Sequence, residues 1–356
     1  MVTYMIIRNF ALGKTVRPTT KDLAKHLGMS RSTVDRVLNR RPGVKEKTVK
    51  AVQKAIEEIG FKRNISAANL ARKRIYRFEF ILPSGEGEFL KEISRQVNIL
   101  KNALQPDGIE VGISQYFGND QHKIARYLSN IDSKKYDGIA ILANESPEVR
   151  DALRRVKERS VHVVRIISGG VEEVKNDFVG IDNYAAGMTA ARLLGSFTPN
   201  KAGNILVVSD TMISPDTALR RAGFDRTLQV KFPSLTALPT LETYGSSERA
   251  EIVIATAFES YCEILGIYLM SSECKPVLDA IIRLKLKNDT TIIAHEHTEA
   301  SNAYLKSGLV DALIVQDTGH VVRSALRKLR AKCDERRLVA TQEKIRIEVL
   351  LLENLM

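Results

Sequence analysis

The chain has 356 residues, 44% of them apolar, so two or three folding units are expected, and its three cysteines form no CxxC pair, which excludes a disulfide framework or a thiolate metal site. No run approaches the roughly 18 apolar residues of a membrane span, and the opening MVTYMIIRNFALGK lacks the basic start and small-residue cleavage site of an export signal; a reduced, cytoplasmic setting is expected. The net charge of +12 is concentrated: residues 1–75 carry 18 Lys/Arg against 5 Asp/Glu, a net +13, the footprint of a polyanion-binding module, with nucleic acid a better fit than membrane.

In chain order, residues 1–16 read as a loose extension and 17–63 as a small helical unit. Thr19-Thr20-Lys21-Asp22 is a capping box, and Leu23, Ala24 and Leu27 then mark one face of a first helix over about 20–27. Gly28 ends it, Met29 fills the turn, and Ser30 caps a second helix, RSTVDRVLN, with Val34, Val37 and Leu38 inward. Two short helices across a Gly-containing turn make a helix-turn-helix. After Pro42-Gly43 a third helix over about 45–59, with Val49, Val52, Ile56 and Ile59 at helical spacing, closes a three-helix core that stops at Gly60.

The segment TTKDLAKHLGMSRSTVDRVLNRRPGVKEKTVKAVQKAIEEIGFKRNISAANLARKR resembles the headpiece of the lactose-repressor family through its whole length. The resemblance implies a sequence-specific regulator, repression being the expected mode, that binds a pseudo-palindromic double-stranded DNA operator as a homodimer. It implies a hinge helix over 64–74, in which Asn64, Ala67, Leu70 and Ala71 meet the minor groove and Leu70 wedges at the operator centre; unstacking a base step costs a few kcal/mol, offset by the contacts a bend allows. The alternative for Leu70 is packing. The exposed N-terminal end of the second helix offers Arg31, Ser32, Asp35 and Arg36 to base edges, both arginines being able to fork onto guanine. Thr19, Ser30, Thr33, Asn39, Arg40, Lys45 and Lys47 are placed for phosphates, which set register without reading sequence. Asp35 departs from the family, which usually has a small hydroxyl residue there, so the operator sequence does not carry over from relatives.

From residue 75 to the end the rhythm changes. Apolar runs at 78–82, 109–113, 136–142, 161–167, 178–182, 204–209, 263–269, 290–294 and 311–315 alternate with amphipathic stretches, and a late strand follows at 344–352; buried parallel strands with crossover helices explain this. The fold class is α/β: a helix-turn-helix headpiece and hinge helix, then a core resembling the two-lobed periplasmic sugar-binding type, whose lobes close on a small molecule. The stretch VGIDNYAAGMTAARLL (179–194) matches the family's opening of lobe two, with Asp182 or Asn183 as cap and Gly187 for close packing.

Effector-binding candidates stand at strand ends, where open α/β sheets place their crevices. The resemblance puts Arg220, Glu296 and Gln316 on the ligand, with Ser84, Ser168 and Ser272 as further polar candidates and Phe89 and Tyr244 as stacking ones. The alternatives are an Arg220–Asp216 pair, Gln316 as a helix cap, and Tyr244 in a surface loop. Ile167 and Ser272 depart from the acidic and the Asn/Asp residues of sugar-binding relatives; a sugar-like effector is still expected. No cofactor, metal or membrane partner is expected, nor is enzymatic activity, since His295-Glu296-His297 lacks the HExxH spacing and no GxxxxGK[ST] or GxSxG occurs. The chain's last residues, Glu353 to Met356, show no leucine heptads, so a dimer rather than a tetramer is expected. The rival reading is a solute-binding protein of a sugar transport system, which would share the core but not the basic headpiece.

Overall fold

The computed structural model describes residues 18–38, 42–61, 74–85, 87–117, 120–169, 177–199, 201–286 and 290–355, in two units divided between Arg74 and Ile75. The expected extension (1–16), the expected phosphate contacts Asn39 and Arg40, and the hinge residues Asn64, Ala67, Leu70 and Ala71 lie outside the described residues.

The first unit holds helices α1 (Thr20–His26), α2 (Arg31–Leu38) and α3 (Glu46–Glu58). The capping box forms as its spacing requires: Thr19 N–H donates to Asp22 Oδ2 at 2.8 Å, and Asp22 N–H to Thr19 Oγ1 at 3.3 Å. Gly28 turns the chain at φ +60°, a conformation costly for a residue with a Cβ, and Ser30 Oγ then accepts from Thr33 N–H at 3.2 Å to start α2. Leu23, Ala24, Val34, Val52, Ala55 and Phe61 form the core. Val49, expected inward, is half-buried; Ala55 and Phe61 occupy the centre instead.

The second unit contains two largely parallel sheets. Lobe one has strands β1 (Tyr76–Pro83), β2 (Ile109–Tyr116), β3 (Gly138–Ile141), β4 (His162–Ile166) and β5 (Phe178–Val179), in the order β2-β1-β3-β4-β5, with helices α4 (Glu88–Leu104), α5 (Gln121–Ser129) and α6 (Pro147–Glu158) between them. Lobe two begins with α7 (Asn183–Phe197), β6 (Gly203–Ser209), α8 (Pro215–Lys231), β7 (Leu235–Ala237) and β8 (Leu241–Glu242). It continues with α9 (Ser247–Ser260), β9 (Ile264–Leu269), α10 (Lys275–Arg283), β10 (Thr291–His295), α11 (Glu299–Lys306) and β11 (Ala312–Val315). Helix α12 (Thr318–Cys333) then returns to lobe one and packs on β4 and α4, and β12 (Glu348–Leu350) goes back to lobe two, antiparallel to β11. The sheet order there is β12-β11-β10-β9-β6-β7, with β8 also on β6.

All four residues of β3 and of β11 are buried, as strands covered on both faces must be. The short β7 and β8 carry no apolar run long enough to announce them. Within KIRIEVLLL only residues 348–350 pair as strand, while Ile345 packs into the core. At the crossing of α7 and α8, a Cβ on Gly187 would overlap the Arg220 carbonyl oxygen, and one on Gly223 would overlap that of Tyr184. This reciprocal absence of side chains brings the two backbones together and fixes where Arg220 emerges.

Candidate DNA and effector sites

On the first unit, Arg31, Ser32 and Arg36 are exposed on α2, whose buried Val34 ties the opposite face to the core. Asp35 is half-buried. Among the expected phosphate contacts, Thr19, Lys45 and Lys47 are exposed, whereas Thr33 is half-buried with its hydroxyl 2.9 Å from Ser30 Oγ. Thr19 and Ser30 cap α1 and α2, so each stands beside a helix N-terminus.

In the second unit the sequence candidates separate. Arg220, 3% exposed, projects from α8 and uses all three guanidinium nitrogens: Nε donates to Asn183 Oδ1 (2.8 Å), Nη1 to the Met270 carbonyl (2.5 Å) and Nη2 to Glu296 Oε1 (3.4 Å). Gln316 Nε2 donates to the same Glu296 oxygen at 2.8 Å. Glu296 is 1% exposed and sits at φ +65°, a strained conformation for a non-glycine residue that the strand end β10 imposes. Burial pushes its carboxyl above the usual range, against the pull of Arg220 and Gln316. Glu296 Oε2 and Gln316 Oε1 are buried acceptors without a hydrogen-bond donor.

The two alternatives for these residues are not what forms. Asp317, not Gln316, caps α12, its Oδ1 accepting from His320 N–H at 2.8 Å. Asp216 instead accepts from Ser214 and, across the crevice, from Ser168 Oγ at 3.3 Å. Ser168 is held by a tight turn in which its N–H donates to the Ile166 carbonyl (2.7 Å) around Ile167 at φ +65°. Ile167 is itself buried in the apolar core.

The crevice is drawn together by further contacts between the lobes. Ser214 Oγ reaches Asn144 Oδ1 at 3.0 Å, Ala300 N–H donates to Glu88 Oε2 at 2.8 Å, and Phe89 N–H donates to Glu273 Oε1 at 3.3 Å. Phe89 is buried in the core, and its amide is what spans the gap. Ser84 and Ser272 are half-buried at the ends of β1 and β9. Tyr244 is 61% exposed, with the Arg249 guanidinium 4.9 Å over its ring, and is not brought to the buried set.

Behind Glu296, His295 is fully buried, its Nε2 2.8 Å from the Tyr268 hydroxyl, and burial holds it well below its usual pKa; His297 points to solvent. Neighbouring histidines on either side of a carboxylate therefore do not converge, and among the described residues no cluster of metal-ligating side chains occurs. Nor, among them, is any helix long and apolar enough to cross a membrane.

Known proteins share both parts. Residues 19–64 match the model of "Bacterial regulatory proteins, lacI family", and residues 78–336 match that of "Periplasmic binding protein domain". The chain belongs to the lacI family of bacterial regulatory proteins. Catabolite control protein A of Priestia megaterium is 28% identical over 64% of this chain and 64% of its own length. The HTH-type transcriptional repressor PurR of Salmonella newport is 30% identical over 49% of this chain and 50% of its own. The chain thus spans between half and two thirds of the curated relatives it matches. A solved solute-binding protein of an ABC transporter from Burkholderia graminis, in complex with D-arabinose, superposes with a TM-score of 0.70 at 18% identity, over 79% of this chain and 97% of that one, which speaks for the fold of the core alone.

For this lacI-family chain, sequence reasoning missed Asn183, Asp216, Asn144, Glu88 and Glu273. Asn183 carried a signal, since next to Asp182 one of the two was bound to be free; Asp182 caps α7 by accepting from Ala185 N–H at 3.0 Å. The others face partners more than a hundred residues away or in the opposite lobe, which no local pattern encodes.

Proposed function

We propose that this lacI-family chain is a sequence-specific, DNA-binding transcriptional regulator, acting as a repressor, whose two-lobed core binds a sugar-like effector. The observation that carries the reading is the pairing, in one chain, of two unfinished surfaces. One is a rigid three-helix unit with Arg31, Ser32 and Arg36 exposed along α2; the other is a crevice whose buried polar floor keeps Glu296 Oε2 and Gln316 Oε1 unpartnered. A major groove supplies acceptors and phosphates to the first, and a polyhydroxy ligand supplies donors to the second.

Dimerisation completes the proposal, because a two-fold pair of headpieces reads a pseudo-palindrome. It is supported by a groove of about 680 Å³ along the outer face of α4, bordered by the half-exposed Ile99, and by Ile252 and Ile282, which stand out on the adjoining helices α9 and α10. Residues 64–74 are the sequence's hinge between DNA reading and effector closure, with Leu70 as wedge. Effector and operator affinities are then coupled reciprocally.

The test is to select bound duplexes from a random pool with the full-length protein, and to measure affinity for the winner with and without a panel of sugars. An enriched palindrome whose affinity shifts with one compound supports regulator and effector together. Recovery of no preferred sequence would overturn the proposal, and a preferred sequence indifferent to every sugar would remove its effector half.

A further inference from the structure

Resting on the reading of the crevice as the effector site, we propose that the effector is a sugar-sized polyol bearing a protonated amine, whose ammonium group is received by Glu296 Oε2 and Gln316 Oε1. Three observations converge on it.

The first is the direction of the hydrogen bonds. Arg220 uses one N–H from each of its three guanidinium nitrogens on Asn183, Met270 and Glu296, and Gln316 uses one amide N–H on Glu296, so every nitrogen of the pair is already engaged. What remains buried without a partner is acceptor in character on two side chains that are bonded to each other. A ligand seated there must arrive with donors, and an ammonium presents three and no acceptor.

The second is the charge. The Arg220 guanidinium, the cation bonded to Glu296, stands at a long 3.4 Å, and Asp216 adds a second negative charge near Glu296. A buried carboxylate that is incompletely paired is costly, and a hydroxyl group can hydrogen-bond to it without neutralising it, whereas a cation does both.

The third is the approach. Asp210, Glu273 and Glu88 lie close enough to one another for Asp210 and Glu88 to push the Glu273 carboxyl upward, after burial, the larger cause. Burial raises Asp210 likewise. Glu273 and Glu88 also make the contacts that draw lobe one onto lobe two. A phosphorylated or carboxylated sugar held between the lobes would meet like charge in Glu273 and Glu88, and an amine opposite charge.

The measurement is calorimetric titration of the full-length protein with matched sets: a neutral hexose, its amino derivative and its phosphate, across the gluco, galacto and manno series. One amino sugar is expected to bind at least about tenfold more tightly than its parent, with no detectable binding of the phosphates. Glu296→Gln, which keeps the side chain's shape and one acceptor for Arg220 and Gln316, should erase that preference, and Asp216→Asn should reduce the ratio of amine to parent affinity. Should Glu296→Gln fail to fold, Asp216→Asn carries the test. A parent sugar binding as tightly as its amine overturns the inference and leaves a sugar effector standing. A phosphate binding most tightly overturns it as well. If nothing in the panel binds, the inference falls together with the sugar reading, while operator selection still judges DNA recognition separately.

Discussion

Arg36 of the headpiece and Arg220 of the core are the same side chain in opposite circumstances. Arg36 stands exposed in the last turn of α2, outside the small apolar core. Arg220 is 3% exposed, and each of its guanidinium nitrogens is already bonded, to Asn183, Met270 and Glu296. On the proposed function, the first is a recognition element. The second is scaffold: it orients the acceptors that do the recognising, and its removal should be felt as instability first. On the proposed function, DNA specificity resides on the surface of one unit and effector specificity in the buried polar floor of the other.

Changes at the two arginines and their surroundings should therefore separate. Arg220→Ala has the largest expected effect, because it strands Glu296 in the interior with Gln316 as its remaining donor; we expect a loss of about 3–5 kcal/mol in the core's stability by denaturant titration. A loss below about 1 kcal/mol would show that the network does not depend on it. Leu23→Ala, a fully buried position in the headpiece, should cost about 2–5 kcal/mol there and abolish operator binding while effector titration is unchanged; a parallel drop in effector affinity would deny the separation. Arg36→Ala should cost about 1–3 kcal/mol on the selected operator and relax one base-pair position, with no shift in melting. Equal weakening on random duplex would reassign Arg36 to phosphate.

The smallest effect is on pH dependence. The Glu296 carboxyl is raised above 4.5 by burial, partly countered by Arg220, so the folded core holds this proton more tightly than the unfolded chain. Its contribution is complete below 4.5 and is lost as pH rises through the raised value, so the ligand-free core should gain stability on acidification from neutrality towards 4.5. Asp210 and Glu273 add in the same direction. Asp177, half-buried but held low by Lys157 and Lys332, works oppositely, and its contribution is lost only below 3.8. Glu296→Gln should flatten part of the acid-side gain in melting temperature; identical slopes in the two proteins would count against a raised Glu296.

Much of this architecture was legible because its signals are local. The capping box at Thr19 and Asp22, the glycine turn at Gly28 and the buried runs that become β1, β3, β4 and β10 each encode themselves within a few residues. Arg220, Glu296 and Gln316 were accessible through family resemblance and strand-end logic, and the structure does bring them together. Their division of labour was not accessible. That Arg220 is consumed by Asn183, 37 residues away, and Glu296, 76 residues away, is decided by how α7 and α8 cross at Gly187 and Gly223. Tyr244 shows the converse: expected as a stacking residue, it stands exposed at φ +51° with the Arg249 guanidinium over its ring, as the surface-loop alternative had it.

Helix α12 carries a consequence for biosynthesis. Lobe one is built from residues 76–179, yet one layer over its sheet is supplied by residues 318–333, with Leu329 set against Gly138 of β3. A nascent chain that has emerged through β5 still lacks α12, so the apolar surface that includes Ala140 and Val164 is completed only after most of lobe two has been synthesised. The first lobe therefore takes one layer of its cover from chain that follows almost all of the second.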